Sequence, residues 1–245
     1  MCLAVVLLAS CSNVKQLTYF QKTKKYPDTI SVAKSYTPKI QTGDILSIYV
    51  NSLSPEASSY FNPYTGTTVV ASTGQTTSQG FLVDANGIIQ LPLIGNLKVA
   101  GFTTSEVRDT LRKILVTYLK EPTVLVRFLN FKISVLGEVG RPEVYNINNE
   151  RITLPEAIAM AGDLTIFARR DSVQIIREID GKKVFGSISL NTREVFNSPY
   201  YYLHANDVVY APPAKTKSQQ TDRSFQFISL GISVVSLLFI LLKLN

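Results

Sequence analysis

Tryptophan is absent from the 245 residues, histidine occurs once and cysteine twice. Both cysteines, Cys2 and Cys11, lie among the first few residues, so the body of the chain has neither a disulfide nor a thiolate metal ligand. Zinc chemistry needs three or four His, Cys or carboxylate ligands, and with His204 as the sole imidazole no metal site is expected. A histidine-dependent triad would have to use His204, whose surroundings hold no nucleophile motif; an ordinary half-buried or surface histidine is the expectation. Charged residues make up 18% of the chain against 45% hydrophobic, which excludes wholesale disorder and implies a buried core. The net charge is +7, yet Lys and Arg are scattered. No basic stripe is interleaved with aromatics and no motif that reads DNA or RNA occurs, so nucleic acid is not an expected partner. A weak attraction to anionic glycans or lipid headgroups fits the charge equally well. No cofactor is implied.

Residues 3–9, Leu-Ala-Val-Val-Leu-Leu-Ala, are too few to span a bilayer but match the apolar region of a secretory signal. The run ends in Leu8-Ala9-Ser10-Cys11, which resembles the lipobox of bacterial lipoproteins: an aliphatic residue, two small residues that let the backbone enter the signal peptidase, and a Cys whose sulfur carries the diacylglycerol. The expectation is a signal peptide over 1–10, lipidation of Cys11 and a polar tether over 11–35. No Lys or Arg precedes the run, and Ser12 follows the Cys. By resemblance to lipoprotein sorting, the absence of Asp after the Cys favours the outer membrane.

A second apolar stretch covers residues 225–242 and contains no charge. With its flanks it approaches the roughly 20 residues a membrane-crossing helix needs, so a linker over 214–223 and a transmembrane helix over 224–243 are expected. Gln226, Ser229, Ser233 and Ser236 are spaced three, four and three apart, which places them on one side of a helix. Small residues would let such a helix pack against a neighbour. Alternatively, several copies would form a helical barrel with these four as pore-lining residues. Both readings imply self-association or a partner.

Between these ends the chain alternates short strands with single helices. Residues 44–50 read as a buried strand after a Gly43-Asp44 turn, and residues 51–80 as a long polar loop. Residues 81–99 read as strand segments with turns at Asn86-Gly87 and Gly95-Asn96. A helix is predicted from about Thr104 to Tyr118, with Thr103-Thr104-Ser105-Glu106 at its start and an apolar face of Val107, Leu111, Ile114, Leu115 and Tyr118. Glu121-Pro122 stops it and 123–128 returns as a strand. Residues 133–137 open a second unit. A short helix follows at 154–161, with Thr153 as N-cap, Pro155 in the first turn and Gly162 at the end. Strands at 173–179 and 182–189 flank Asp180-Gly181, and a last strand lies at 207–210. Each unit therefore reads as α+β. Glycoside hydrolysis would need a carboxylate pair in a cleft. Glu138 with Glu143 and Asp163 with Asp171 are the nearby pairs, but such spacings are common on turns, and no catalytic residue is assigned.

The ordered string Val83-Asp84-Ala85-Asn86-Gly87-Ile88-Ile89-Gln90-Leu91-Pro92-Leu93-Ile94-Gly95, followed by Val99-Ala100-Gly101-Phe102-Thr103 and preceded by Gly43-Asp44-Ile45-Leu46, resembles the polysaccharide export domain of the Wza-type family of outer-membrane lipoproteins. Val135-Leu136-Gly137-Glu138-Val139 with Pro142 and Tyr145, then Thr153-Leu154, Ala157, Ala161-Gly162 and Asn206-Asp207-Val208-Val209-Tyr210, resemble a soluble-ligand-binding β-grasp (SLBB) domain. Glu143 follows Pro142, where the family usually has Gly, and Asp163 follows Gly162, where it often has a second Gly. The resemblance implies an export domain over 36–130, an SLBB β-grasp domain over 131–213 and no enzymatic activity. It also implies a periplasmic homo-oligomeric ring, an octamer, capped by a barrel of C-terminal helices in the outer membrane. Such a ring works with an inner-membrane polysaccharide co-polymerase to pass capsule or exopolysaccharide outward, in contact with membrane lipid. The alternative from another class is a lipoprotein that binds a glycan or a partner protein without forming a pore.

Overall fold

The computed structural model describes residues 17–23, 25, 28–64, 79–179, 181–214 and 236. Two hydrophobic cores divide them. The first is built from β1 (Ile45–Asn51), α1 (Pro55–Ser59), β2 (Phe81–Leu82), β3 (Ile88–Leu91), β4 (Gly95–Lys98), α2 (Thr104–Leu115) and β5 (Thr123–Phe128). β1 is central in an antiparallel sheet of order β2-β1-β5, and β3 and β4 form a separate hairpin. Strict alternation decides which sheet face is covered. Leu46, Ile48 and Val50 of β1 point inward with Val124 and Val126 of β5, while Tyr49 and Leu125 pair on the outer face. Val107, Leu111 and Leu115, at helical spacing, bring α2 onto the same core.

The second core lies behind a five-stranded sheet of order β10-β9-β12-β6-β7, made from β6 (Lys132–Gly137), β7 (Glu143–Asn146), β9 (Val173–Ile179), β10 (Lys182–Ile188) and β12 (Val208–Ala211). β12 runs parallel to β6 and antiparallel to β9. The short ladder of β8 (Ile152–Thr153) with β11 (Tyr202–Leu203), together with α3 (Leu154–Met160), closes it. The two helices start in the same way. The Thr103 and Glu106 side chains exchange hydrogen bonds with each other's backbone N–H, at 2.7 and 3.2 Å, and Thr153 and Glu156 repeat this capping box. Two otherwise orphaned N–H groups are thereby satisfied at each start.

Three expectations change. α2 ends at Leu115, because the N–H groups of Thr117 and Tyr118 turn to tighter bonds with Ile114 and Leu115. Leu119, rather than Tyr118, is then the buried residue. The loop after β1 is not empty of core: Ser54 caps α1, Phe61 is buried, and the Asn62 amide bonds both the N–H and the C=O of Val50 at 2.8 and 2.7 Å. The expected C-terminal transmembrane helix is corrected, since no helix among the described residues is long and apolar enough to cross a membrane. The longest, α2, has 12 residues, about 18 Å at 1.5 Å per residue against a hydrocarbon core of about 30 Å. Of 224–243 only Ser236 is described, helical and exposed.

Gly137, in the Val-Leu-Gly-Glu-Val string, has φ +90, and a Cβ there would collide with the Ala211 carbonyl oxygen across the parallel β6–β12 pair. Gly137→Ala is expected to cost about 2–4 kcal/mol, from the left-handed backbone and the overpacking together. Urea unfolding checks this; an unchanged midpoint would contradict it.

Candidate functional site

The polar residues of greatest interest meet where the two units join. Asp207, in the turn before β12, is 1% exposed, and Arg177 of β9 is 6% exposed. The guanidinium is bidentate, with Nε donating to Asp207 Oδ1 at 3.0 Å and Nη2 to Oδ2 at 2.7 Å; Nη2 also reaches the Tyr202 carbonyl at 3.1 Å. The His204 backbone N–H donates to Asp207 Oδ2 at 2.8 Å, and the Tyr200 ring lies 5.4 Å from the guanidinium carbon. A buried ion pair is tolerated only when its remaining donors and acceptors are also occupied, and this one has all of these contacts. The hold on His204 passes outward, because its ring stacks on Tyr36 with centroids 3.6 Å apart. Four residues later Ile40 enters the first core, with backbone bonds to Gly101 and Phe102.

Other contacts cross the same junction. Phe128 packs against both cores. Asn130 accepts from the Ile45 N–H at 3.0 Å and donates to the Gly43 carbonyl at 3.1 Å. The Thr104 hydroxyl donates to Glu150 at 2.8 Å. Beside Phe128 and Asn130 opens a cleft of about 380 Å³, with Tyr36, Lys39, Gln41 and Asp44 on one side and His204 and Asn206 on the other.

The described part of the segment before Tyr36 runs over the second unit. The Phe20 and Gln21 N–H groups bond the Leu190 and Asn191 carbonyls at 2.9 and 2.7 Å, and the Ala33 N–H bonds Phe196. The Tyr19 hydroxyl donates to Asp163 Oδ1 at 2.5 Å. Burial first, and then that carboxylate, push the Tyr19 hydroxyl up to about 12. Arg193 bonds the Phe20 carbonyl and pairs with Asp28. Asp163 sits at φ +66, a conformation in which Gly is the usual occupant. The Asp163 carboxylate thus fastens this strap.

Cys11, Gln226, Ser229 and Ser233 lie outside the described residues. Three of the four carboxylates in the two nearby pairs are engaged, each with a different partner. Glu138 accepts from the Thr165 hydroxyl, Asp163 accepts from Tyr19, and Asp171 pairs with Arg169. Among the described residues no three His, Cys, Asp or Glu side chains are grouped to hold a metal ion. The buried Arg177 went unnoticed in sequence because only its partner, Asp207, belongs to a motif, and a strand arginine gives no local sign of burial.

Two domain families match this chain. The polysaccharide biosynthesis/export protein family matches residues 32–129, and the SLBB domain matches residues 132–186. An EPS I polysaccharide export outer membrane protein, EpsA, from Ralstonia solanacearum is 31% identical over 189 residues, which is 74% of this chain and 49% of that protein. The protein of the same name from Ralstonia nicotianae is 39% identical over 139 residues, 54% of this chain and 36% of that one. The chain therefore spans about half the length, or less, of the curated relatives it matches.

His204 supplies a pH test of the junction. Its imidazole is held down to about 4 from the ordinary 6.5, first by burial, then by the Arg177 guanidinium, with Asp207 opposing. The folded chain therefore binds this proton more weakly than the unfolded chain. The neutral ring's contribution is complete above pH 6.5 and is lost as pH falls from there to about 4. Solvent at the half-exposed ring screens the effect to on the order of 1 kcal/mol, or roughly 2–4 °C in Tm. Between pH 7 and pH 4.5 the unsubstituted chain should lose that much more Tm than His204→Phe, which keeps the stack. Equal losses in the two chains would contradict it.

Proposed function

Since this chain belongs to the polysaccharide biosynthesis/export family, its export domain followed directly by an SLBB domain, we propose that it is an outer-membrane component of a capsule or exopolysaccharide export conduit. The observation that carries this is the order of the two domain matches, 32–129 and then 132–186, in a chain whose two cores pack on one shared residue, Phe128. Both matched relatives are named as polysaccharide export outer membrane proteins. The family is one of export proteins and not of enzymes.

The finer parts of the reading have their own support. Lipidation at Cys11 rests on Leu8-Ala9-Ser10-Cys11. The first described residue, Leu17, is six positions further on, so a lipid at Cys11 would hold the second unit within about 20 Å of the membrane, the reach of six extended residues. Assembly of several copies into a ring is supported by the outer face of the β2-β1-β5 sheet, where Leu82, Tyr49 and Leu125 are 61%, 45% and 45% exposed. Apolar side chains gathered on one face mark a contact surface. The inner-membrane partner in this reading is a polysaccharide co-polymerase that delivers the glycan.

Deleting the gene in its native cell should reduce surface polysaccharide to the level of a strain that makes none, with glycan retained inside, and restoring the full chain should restore export. Electron-microscope class averages of the purified protein should show closed rings. Normal export without the chain would overturn the reading. Export loss with a strictly monomeric protein would replace the ring with the glycan-binding lipoprotein.

A further inference from the structure

The cleft at the junction combines aromatic surface with uncommitted amides. One wall comes from the lead-in to the first unit (Tyr36, Lys39, Gln41, Asp44), and the other from the turn before β12 (His204, Asn206). Its aromatic surface is contributed by Phe128 and by the stacked Tyr36 and His204 rings. The side chains of Lys39, Gln41 and Asn206 make no hydrogen bond with another described residue, so an ammonium and two amides remain to donate and accept. Asp44 is half-buried, and one of its oxygens already accepts from the Gln41 N–H at 2.7 Å. Glu178 is paired with Lys183 at 2.6 Å. The opposed charges nearly cancel, so the cleft is neither an anion trap nor a cation site.

This combination selects a ligand class. A pyranose ring presents C–H groups on its faces and hydroxyls around its rim. The faces favour aromatic surfaces, and each hydroxyl needs one donor and one acceptor. Amides supply both, and a buried pocket without them would reject hydroxyls. A volume of about 380 Å³ lies within the range of about 300–1,000 Å³ of small-molecule sites and suits a short saccharide. The neighbouring cleft of about 300 Å³ beside Arg108 and Arg127 has Glu150 and two Asn but only Phe128 as an aromatic, and so it lacks the paired rings.

We propose that the cleft between the two units, walled by Tyr36, Gln41, His204 and Asn206, is a saccharide subsite that holds a short, hydroxyl-rich stretch of the polysaccharide this chain exports. The proposal rests on the export reading above. It places the glycan contact at the seam between the domains rather than within either one, so occupancy by the glycan is sensitive to how the two units are set against each other.

The test uses the full chain in mild detergent and oligosaccharides made by partial acid hydrolysis of the producing cell's own secreted polysaccharide. Binding is followed by saturation-transfer NMR and titration calorimetry. Gln41→Ala should weaken binding roughly 3–10-fold, the loss of one neutral hydrogen bond. Ala205→Trp, which fills the cleft from an exposed position, should abolish binding, and Arg108→Ala in the neighbouring cleft should leave it unchanged. Each variant is checked for an unaltered melting temperature, and if Ala205→Trp does not fold, Gln41→Ala decides. No binding by the unsubstituted chain, binding unaffected by the cleft substitutions, or binding lost only in Arg108→Ala would each overturn the proposal. These results would leave the export reading intact, because that reading depends on surface polysaccharide in the deletion strain and not on this cleft.

Discussion

The buried pair of Arg177 and Asp207 is the constraint on which the rest of the arrangement depends. Two charges taken almost wholly out of water are costly, and removing one partner from such a pair leaves the other uncompensated. Here the cost is offset by a bidentate geometry and by the Tyr202 carbonyl and the His204 N–H, which occupy the remaining donors and acceptors. Those same bonds fix the turn before β12, place the His204 ring and stack it on Tyr36. Through Tyr36 the second core is tied to the chain that enters the first core at Ile40. A polar group that must be satisfied where it is buried thereby determines how two separately cored units meet.

That meeting gives the export reading its physical content. A conduit component must keep its parts in register while a long glycan passes, and a loose linker between two domains would not do this. The junction has no such linker: Phe128 is shared by both cores, and Asn130 bonds back to β1 and to the turn before it. The strap of residues before Tyr36, fastened by Tyr19 on Asp163 and by Arg193 on Asp28, carries the lead-in of the first unit across the second. The cleft lies within this frame, and its walls come from both sides of the seam.

Much of the local structure was legible in sequence. Thr103 and Thr153 occupy cap positions whose partners, Glu106 and Glu156, follow at the required spacing. Residues 44–50 and 123–128 read as strands, and β1 and β5 lie there. The motif strings were legible too, and the structure supplies reasons for two of their residues: the backbone of Gly137 excludes a side chain, and Asp207 is the buried carboxylate. Tertiary contacts were not legible. The lead-in before Tyr36 is polar and without period, and its described residues dock through backbone bonds, the Tyr19 hydroxyl, the Phe20 ring and the Asp28 carboxylate, whose partners lie far away in sequence. The end of α2 depends on whether Leu119 or Tyr118 is buried, which tertiary packing decides. The apolar run near the C-terminus displayed hydropathy alone, and hydropathy does not establish a membrane-crossing helix.

A double-substitution cycle on the buried pair measures how far it couples the two units. Arg177→Met and Asp207→Leu, singly and together, are compared by urea unfolding followed with probes in both units. One shared transition is expected, with a loss of about 3–5 kcal/mol for each single substitution and a double variant that loses far less than the sum. Additive losses, or two units that unfold at separate midpoints in the unsubstituted chain, would contradict it.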